Sequence, residues 1–395
     1  MQQLAKGTLY PAESVMEVDA RTNASIRRIT SAPAIHHHPF FMIPAYDDAM
    51  QWTVFASSRT GKPQIFAEVR ATGELLQLTD RDDLGDWSIH PSHDGRYVYF
   101  TAGSGGWRVH IPSGKEEQLV DLRELVPAPA PASPGVTISS QGRKPQSASR
   151  VALREQGMVG AAMGTTALSH DDRYWAVKFN VGKEANLAII DTATGQGNVI
   201  LQRDTVAHLQ FCPDDNNLLF YAGPLTDRVW VIHRDGSGNR RLYKRAPGKW
   251  ITHETWIPRT RELAVVDWPN GVRAIHVDTG VQRQVCSFNA WHPVCNPAGT
   301  RMVADTNFPD IGLQLFDPRD GIGTPTTLAY PEASSMGEHW AGPFPYENGP
   351  IEVYAPQHTH PHPSFSPDGR YVLYTSDRTG HAQLYELDLQ SLGLV

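Results

Sequence analysis

The chain has 395 residues, with 42 acidic against 35 basic side chains and a formal charge of −7. With no block of Lys and Arg, that balance argues against a nucleic-acid surface, and no run approaches the ~18 apolar residues of a membrane-spanning helix. Cys212, Cys286 and Cys295 are too few and too scattered for a disulfide framework, and MQQLAKGTLY lacks the apolar core of a secretory signal, so a cytoplasmic protein is expected. The 33 Gly and 30 Pro, with no long amphipathic helical pattern, favour an all-β chain rich in turns.

Taken in order, the elements repeat. A strand, a Pro/Asp/Gly turn, an aromatic and β-branched strand and a further strand recur as DDAMQWTVFASSRTGKPQIFAEV from Asp47, HPSHDGRYVYFTAGSGG from His90 and SHDDRYWAVKFNVGKEANLAIID from Ser169. They return as FCPDDNNLLFYAGPLTDRVWVIH from Phe211, WIPRTRELAVVDWPNGVRAIHVD from Trp256, CNPAGTRMVADTNFPDIGLQLFD from Cys295 and FSPDGRYVLYTSDRTGHAQLYELD from Phe365. Units of four strands, mostly about 40 residues apart, predict a seven-bladed β-propeller.

The ends support a closed ring. The last unit stops after its third strand, HAQLYELDL, while SIRRIT (25–30) precedes the first unit and resembles that unit's fourth strand, LLQLT. The N-terminal segment is therefore expected to complete the last blade and remove an exposed edge, making residues 1–395 one domain. Two stretches break the rhythm: a Pro/Ala/Ser-rich insertion over 121–160 and a shorter one over 332–355.

Histidines fall at one place in the repeat. Five residues before Pro213, Pro258, Pro297 and Pro367 stand His208, His253, His292 and His362. That offset falls on the innermost strand, so the four imidazoles should ring one mouth of the central channel, and His37 in HHHPFF approaches the same place. One histidine ahead of such a turn would carry little weight. Four at one offset, joined by Gln357 and His360, predict a functional cluster. On a strand, His360 and His362 would project to one face and grip one ion. Three imidazoles and an amide oxygen are neutral ligands, so a divalent ion on His292, Gln357, His360 and His362 would keep its charge for an acidic ligand. This donor mix suits Mn2+ and also admits iron, nickel or zinc. His253 is left over as a candidate base. Arg228 lies between two strands of the fourth unit, where a lone Arg is usually a solvated charge.

At these residues the chain resembles the oligogalacturonate lyases, seven-bladed cytoplasmic lyases of short pectin fragments. The resemblance runs through YAPQHTHPHPSFSPDGRYVLYTSD, THETWIP, HPVCNPAGTRMVADTN, and FCPDDNNLLFYAGP followed by RVW. It implies that His292, Gln357, His360 and His362 bind manganese, that His253 is the general base, and that Arg228 contacts an oligogalacturonide cleaved by β-elimination. His37 and His208 are further candidates for contact with the substrate. A non-catalytic docking propeller, a lyase for a different uronate, and a metal-assisted hydrolase are the competing readings.

Overall fold

Each copy of the repeat folds into its own antiparallel sheet, and there are seven. The computed structural model describes residues 5–126, 138–139, 165–181, 184–319, 321, 324–335 and 359–394. Among them there is no α-helix. Blade 4 shows the plan, with Ala207–Cys212 innermost, then Asp215–Ala222, Val229–His233 and Arg240–Tyr243 outermost.

Stacking explains why the second strand of each blade is apolar on both faces. In Tyr371–Ser376 of blade 7, Val372 and Tyr374 pack with Val303 and Leu315 of blade 6, while Leu373 packs with Phe55 and Phe66 of blade 1. Alternate residues thus serve opposite neighbours. The turn that feeds this strand needs a left-handed residue, supplied by Gly369 at φ 71°. Blade 3 puts Asp172 there instead, at φ 57°. Its carboxylate accepts from the backbone N–H groups of His93 and Asp94, tying blade 3 to blade 2.

Ring closure follows the sequence expectation. Ser25–Arg28 pairs with Gln383–Asp388 as the fourth strand of blade 7, with Ser25 opposite Asp388 and Arg28 opposite Tyr385. Two additions go beyond that expectation: Val15–Val18 lies outside that strand, and Leu9–Tyr10 extends the outer edge of blade 1. Of the 121–160 insertion, Asp121 ends the outer strand of blade 2, Leu122–Leu125 form a 3-10 turn, and Ile138–Ser139 pair with Asn180 and Val181 of blade 3. Residues 127–137 and 140–160 of that insertion, and residues 336–355 of the second, lie outside the described residues.

A buried ion network locks the closure. Glu386 of blade 7 accepts from Arg27 of the closing strand at 2.8 Å and from Arg70 of blade 1 at 2.6 Å, and Tyr46 donates to it at 2.9 Å. Arg27 also reaches Glu68, which is fully buried. Burial opposes the charge on Glu386, but Arg27 and Arg70 hold its carboxyl below the usual range. Removing one member strands buried charge on the others. Glu386→Ala should therefore lower the free energy of chemical unfolding by about 3–5 kcal/mol, whereas a loss under ~1 kcal/mol, typical of an exposed pair, would contradict this account.

Candidate metal and acid–base site

The innermost strands do not simply alternate where the histidines stand. In blade 4 the register passes from Ala207↔Ala222 to Gln210↔Phe220, and in blade 5 from Thr252↔Val266 to Thr255↔Ala264. The skipped residues include His208 and His253, which take φ 50° and 45°, and His362 in blade 7 takes φ 47°. A left-handed non-glycine residue inside a strand costs roughly 1–3 kcal/mol, and each bulge re-aims its side chain. Three blades thus place a left-handed histidine at this offset, in blades 4 and 5 within a bulge. The expectation that His360 and His362 share a regular strand fails, because the strand begins at Ser364. Their rings still lie nearly parallel, at 14°, with centroids 5.4 Å apart.

His292, His360 and His362 each present a ring nitrogen within 4.8 Å of the others. Centroids of His292 and His362 are 4.2 Å apart. His292 is fixed by Asp305, whose carboxylate lies 2.8 Å from Nδ1 and also accepts the His292 backbone N–H. With its proton on Nδ1, His292 has Nε2 free as a ligand atom. His362 Nε2 is buried and has no hydrogen-bond partner among the described residues. Burial, with His292 and His360 next, keeps its pKa well below the usual value, so the ring is neutral. Converging imidazoles with an orphaned buried nitrogen fit a divalent transition ion. Gln357, the expected fourth ligand, lies outside the described residues.

Beside this trio stands His253, its centroid 4.2 Å from His292 and 4.4 Å from Trp291. Its Nδ1 is buried without a partner among the described residues. Burial first, then the neighbouring His292, His208 and Arg228, drives its pKa well below the usual value. Arg228 is no solvated charge: it is buried, and its Nε donates to Glu254 Oε1 at 2.6 Å. Its Nη2 reaches His208 Nδ1 at 3.1 Å, while the Glu254 Oε2 to His208 contact is 3.3 Å. A neutral imidazole can satisfy only one of these, and the shorter makes Nδ1 the acceptor, with the proton on Nε2. Glu254 is fully buried, which opposes its charge, yet the Arg228 guanidinium holds its carboxyl down at about 2.

The floor beneath the imidazoles comes from blade 1. Its innermost strand is interrupted, pairing at His36–His37 and again only at Tyr46, and the residues between cross the channel. Phe40 lies 5.1 Å from both His208 and His362, and Phe41 lies 5.2 Å from His292, both fully buried. His37 stacks on Trp87 at 4.0 Å, and Trp87 in turn meets His362 at 6.0 Å, which places His37 one ring away from the trio. Below Phe41, a cavity of about 610 Å³ opens at the other end, lined by the turn residues Pro213, Pro258, Pro297 and Pro367. None of the four channel histidines lines it.

Asp305, Glu254, Phe40 and Phe41 are site residues that sequence reasoning did not single out. The Glu254 carboxylate offers a direct check. Because its folded pKa is depressed, its stabilisation is complete above about 4.5 and is lost as pH falls toward about 2. Glu254→Gln should cost about 3 kcal/mol in urea unfolding at pH 7, a gap that narrows steadily below pH ~4.5. A pH-independent gap would contradict the charge pairing.

A sequence profile of the oligogalacturonate lyases matches residues 171–391. An oligogalacturonide lyase of Pectobacterium atrosepticum is 33% identical over 410 residues, covering 97% of each chain. An oligogalacturonate lyase of Dickeya dadantii is 34% identical over 218 residues, half of this chain and 53% of that one. Among solved structures, an oligogalacturonate lyase in complex with manganese superposes with a TM-score of 0.75 at 22% identity, covering 97% of this chain and 98% of that one. A second, from Vibrio parahaemolyticus, gives 0.75 at 20% with the same coverage, and at these identities the two bear on the fold alone. Profile and full-length relative together place the chain in the oligogalacturonate lyase family.

Proposed function

We propose that this protein, acting as one domain, cleaves short oligogalacturonides by β-elimination at a divalent metal centre, with Mn2+ the preferred ion. His292, His360 and His362, with Gln357, would hold the ion. Bound there, it would supply a Lewis acid for the carboxylate next to the reacting carbon. The observation that carries the reading is a neutral, buried His253 whose ring touches that of His292.

The remaining chemistry belongs to the chain's own residues. His253 stays unprotonated near pH 7 and takes the proton from C5 of the uronate. The C5–H electron pair becomes the C4–C5 double bond as the C4–O bond breaks, and a proton ends on the leaving oxygen. No water is consumed. Arg228, held by Glu254, faces the sugar acid with Nη1, which makes no hydrogen bond among the described residues. His208 offers Nε2–H beside it, and His37 stands farther out. Phe40 and Phe41 exclude water from below. No helix among the described residues is long and apolar enough to cross a membrane. We read the protein as cytoplasmic, with neither nucleic acid nor membrane as a partner.

An ultraviolet assay for the unsaturated uronate, with digalacturonate as substrate, tests this reading. Activity should vanish with chelator and return with Mn2+; turnover in the chelated protein would remove the metal from the account. His253→Ala should keep a full complement of metal while kcat falls about 10²–10⁴-fold, and His360→Ala should lose the metal itself. Asp305→Ala should weaken Mn2+ affinity about 10–100-fold by titration, and unchanged affinity would show that Asp305 does not orient His292.

A further inference from the structure

Lys178 is a buried cation that the site described above does not use. It is 4% exposed, and among the described residues its ammonium has no hydrogen bond or ion pair. Lysine is almost never buried this far unless paired. Burial pushes its pKa down to about 8, which leaves it mostly protonated at neutral pH.

Its place in the repeat gives it a direction. The same turn bond opens the second strand in blades 3 and 6, Ser169 N–H to Tyr174 O and Asn296 N–H to Arg301 O. Counting four residues on from Tyr174 and from Arg301 reaches Lys178 and Asp305. Asp305 is the residue whose carboxylate touches His292 at the channel mouth. The counterpart of His292 in blade 3 is Thr165, and the Lys178 backbone N–H bonds to the Thr165 carbonyl at 2.8 Å. Lys178 shares a face with Ala176, which packs toward Leu209 and Tyr221 of blade 4, as Asp305 shares one with Val303, which packs toward blade 7. Its stem therefore runs along the seam between blades 3 and 4 toward the mouth that holds the imidazoles.

Blades follow one another around the axis in chain order, so the site has an angular sequence. The imidazole trio belongs to blades 6 and 7, His253 to blade 5, Arg228 to blade 4 and Lys178 to blade 3. We propose that Lys178 is a substrate-binding residue that takes the carboxylate of a third uronate, one sugar beyond the pair flanking the cleaved bond. The proposal rests on the reading of the site as an oligouronide lyase. An anion arriving there would give a desolvated ammonium the partner that the described residues do not provide.

The test compares kinetics of the holoenzyme on digalacturonate and trigalacturonate. Lys178→Met should raise KM for the trimer about tenfold or more, the ordinary worth of a charge-assisted hydrogen bond. It should leave kcat and all digalacturonate constants within about threefold, since the contact is remote from the reacting atoms. Lys178→Arg, which keeps the cation, should recover part of the trimer KM. Equal KM values for wild type and Lys178→Met on the trimer would overturn the proposal, as would an equal loss on both substrates. If the wild type turned over neither sugar, the lyase reading would fall. Lys178 would then be judged by calorimetry with trigalacturonate on metal-free protein: binding that Lys178→Met abolishes supports the site, and binding that is equal or absent overturns it.

Discussion

Everything at the channel mouth depends on a backbone constraint, the left-handed conformation of His208, His253 and His362. An innermost strand with ordinary alternation would send these side chains toward neighbouring blades, where apolar cores leave no place for them. The left-handed backbone turns each ring to the axis, within a bulge for His208 and His253 and just ahead of the strand for His362, at a conformational cost of roughly 1–3 kcal/mol. Such strain persists only where the surroundings fix it. Here the fixing elements are the second strands behind each bulge, which are buried on both faces. The propeller supplies rigid walls, and the local strain supplies the aim.

A second constraint is electrostatic. Packing several imidazoles and a guanidinium out of water is tolerable only if most of the rings stay neutral or find an acid. The molecule does both. His253 and His362 are held neutral by burial first and then by the neighbouring His292, while Arg228 is matched by Glu254 and His292 by Asp305. The arrangement separates two duties. One side of the mouth gathers imidazole nitrogen donors, and the other carries a paired cation that can address an anion. The same economy appears at ring closure, where Glu386 and Glu68 neutralise Arg27 and Arg70.

Much of this is legible in the chain because the repeat writes its register in turn chemistry. The PDGR-type turns align the blades, and the alignment puts His208, His253, His292 and His362 at one offset without any three-dimensional information. What stays hidden has physical causes. Glu254 follows His253 directly, and strict alternation would send it to the opposite face; only the bulge brings both to the site. Asp305 occupies the position that Thr375 holds in blade 7, an unexceptional strand position until folding brings the His292 ring against its carboxylate. Arg228 reads as a solvated loop charge because its partner comes from another blade. Phe40 and Phe41 carry no signal in the repeat, and only the interruption of the innermost strand in blade 1 brings them against the channel imidazoles.

The central claim is that three imidazoles drawn from two blades share one ion. Anomalous scattering at the manganese edge, from crystals grown with Mn2+, tests it most directly. The account predicts one strong peak within bonding distance of ring nitrogens of His292, His360 and His362. No peak at the mouth, or a peak bound by other residues with the trio left empty, would contradict it.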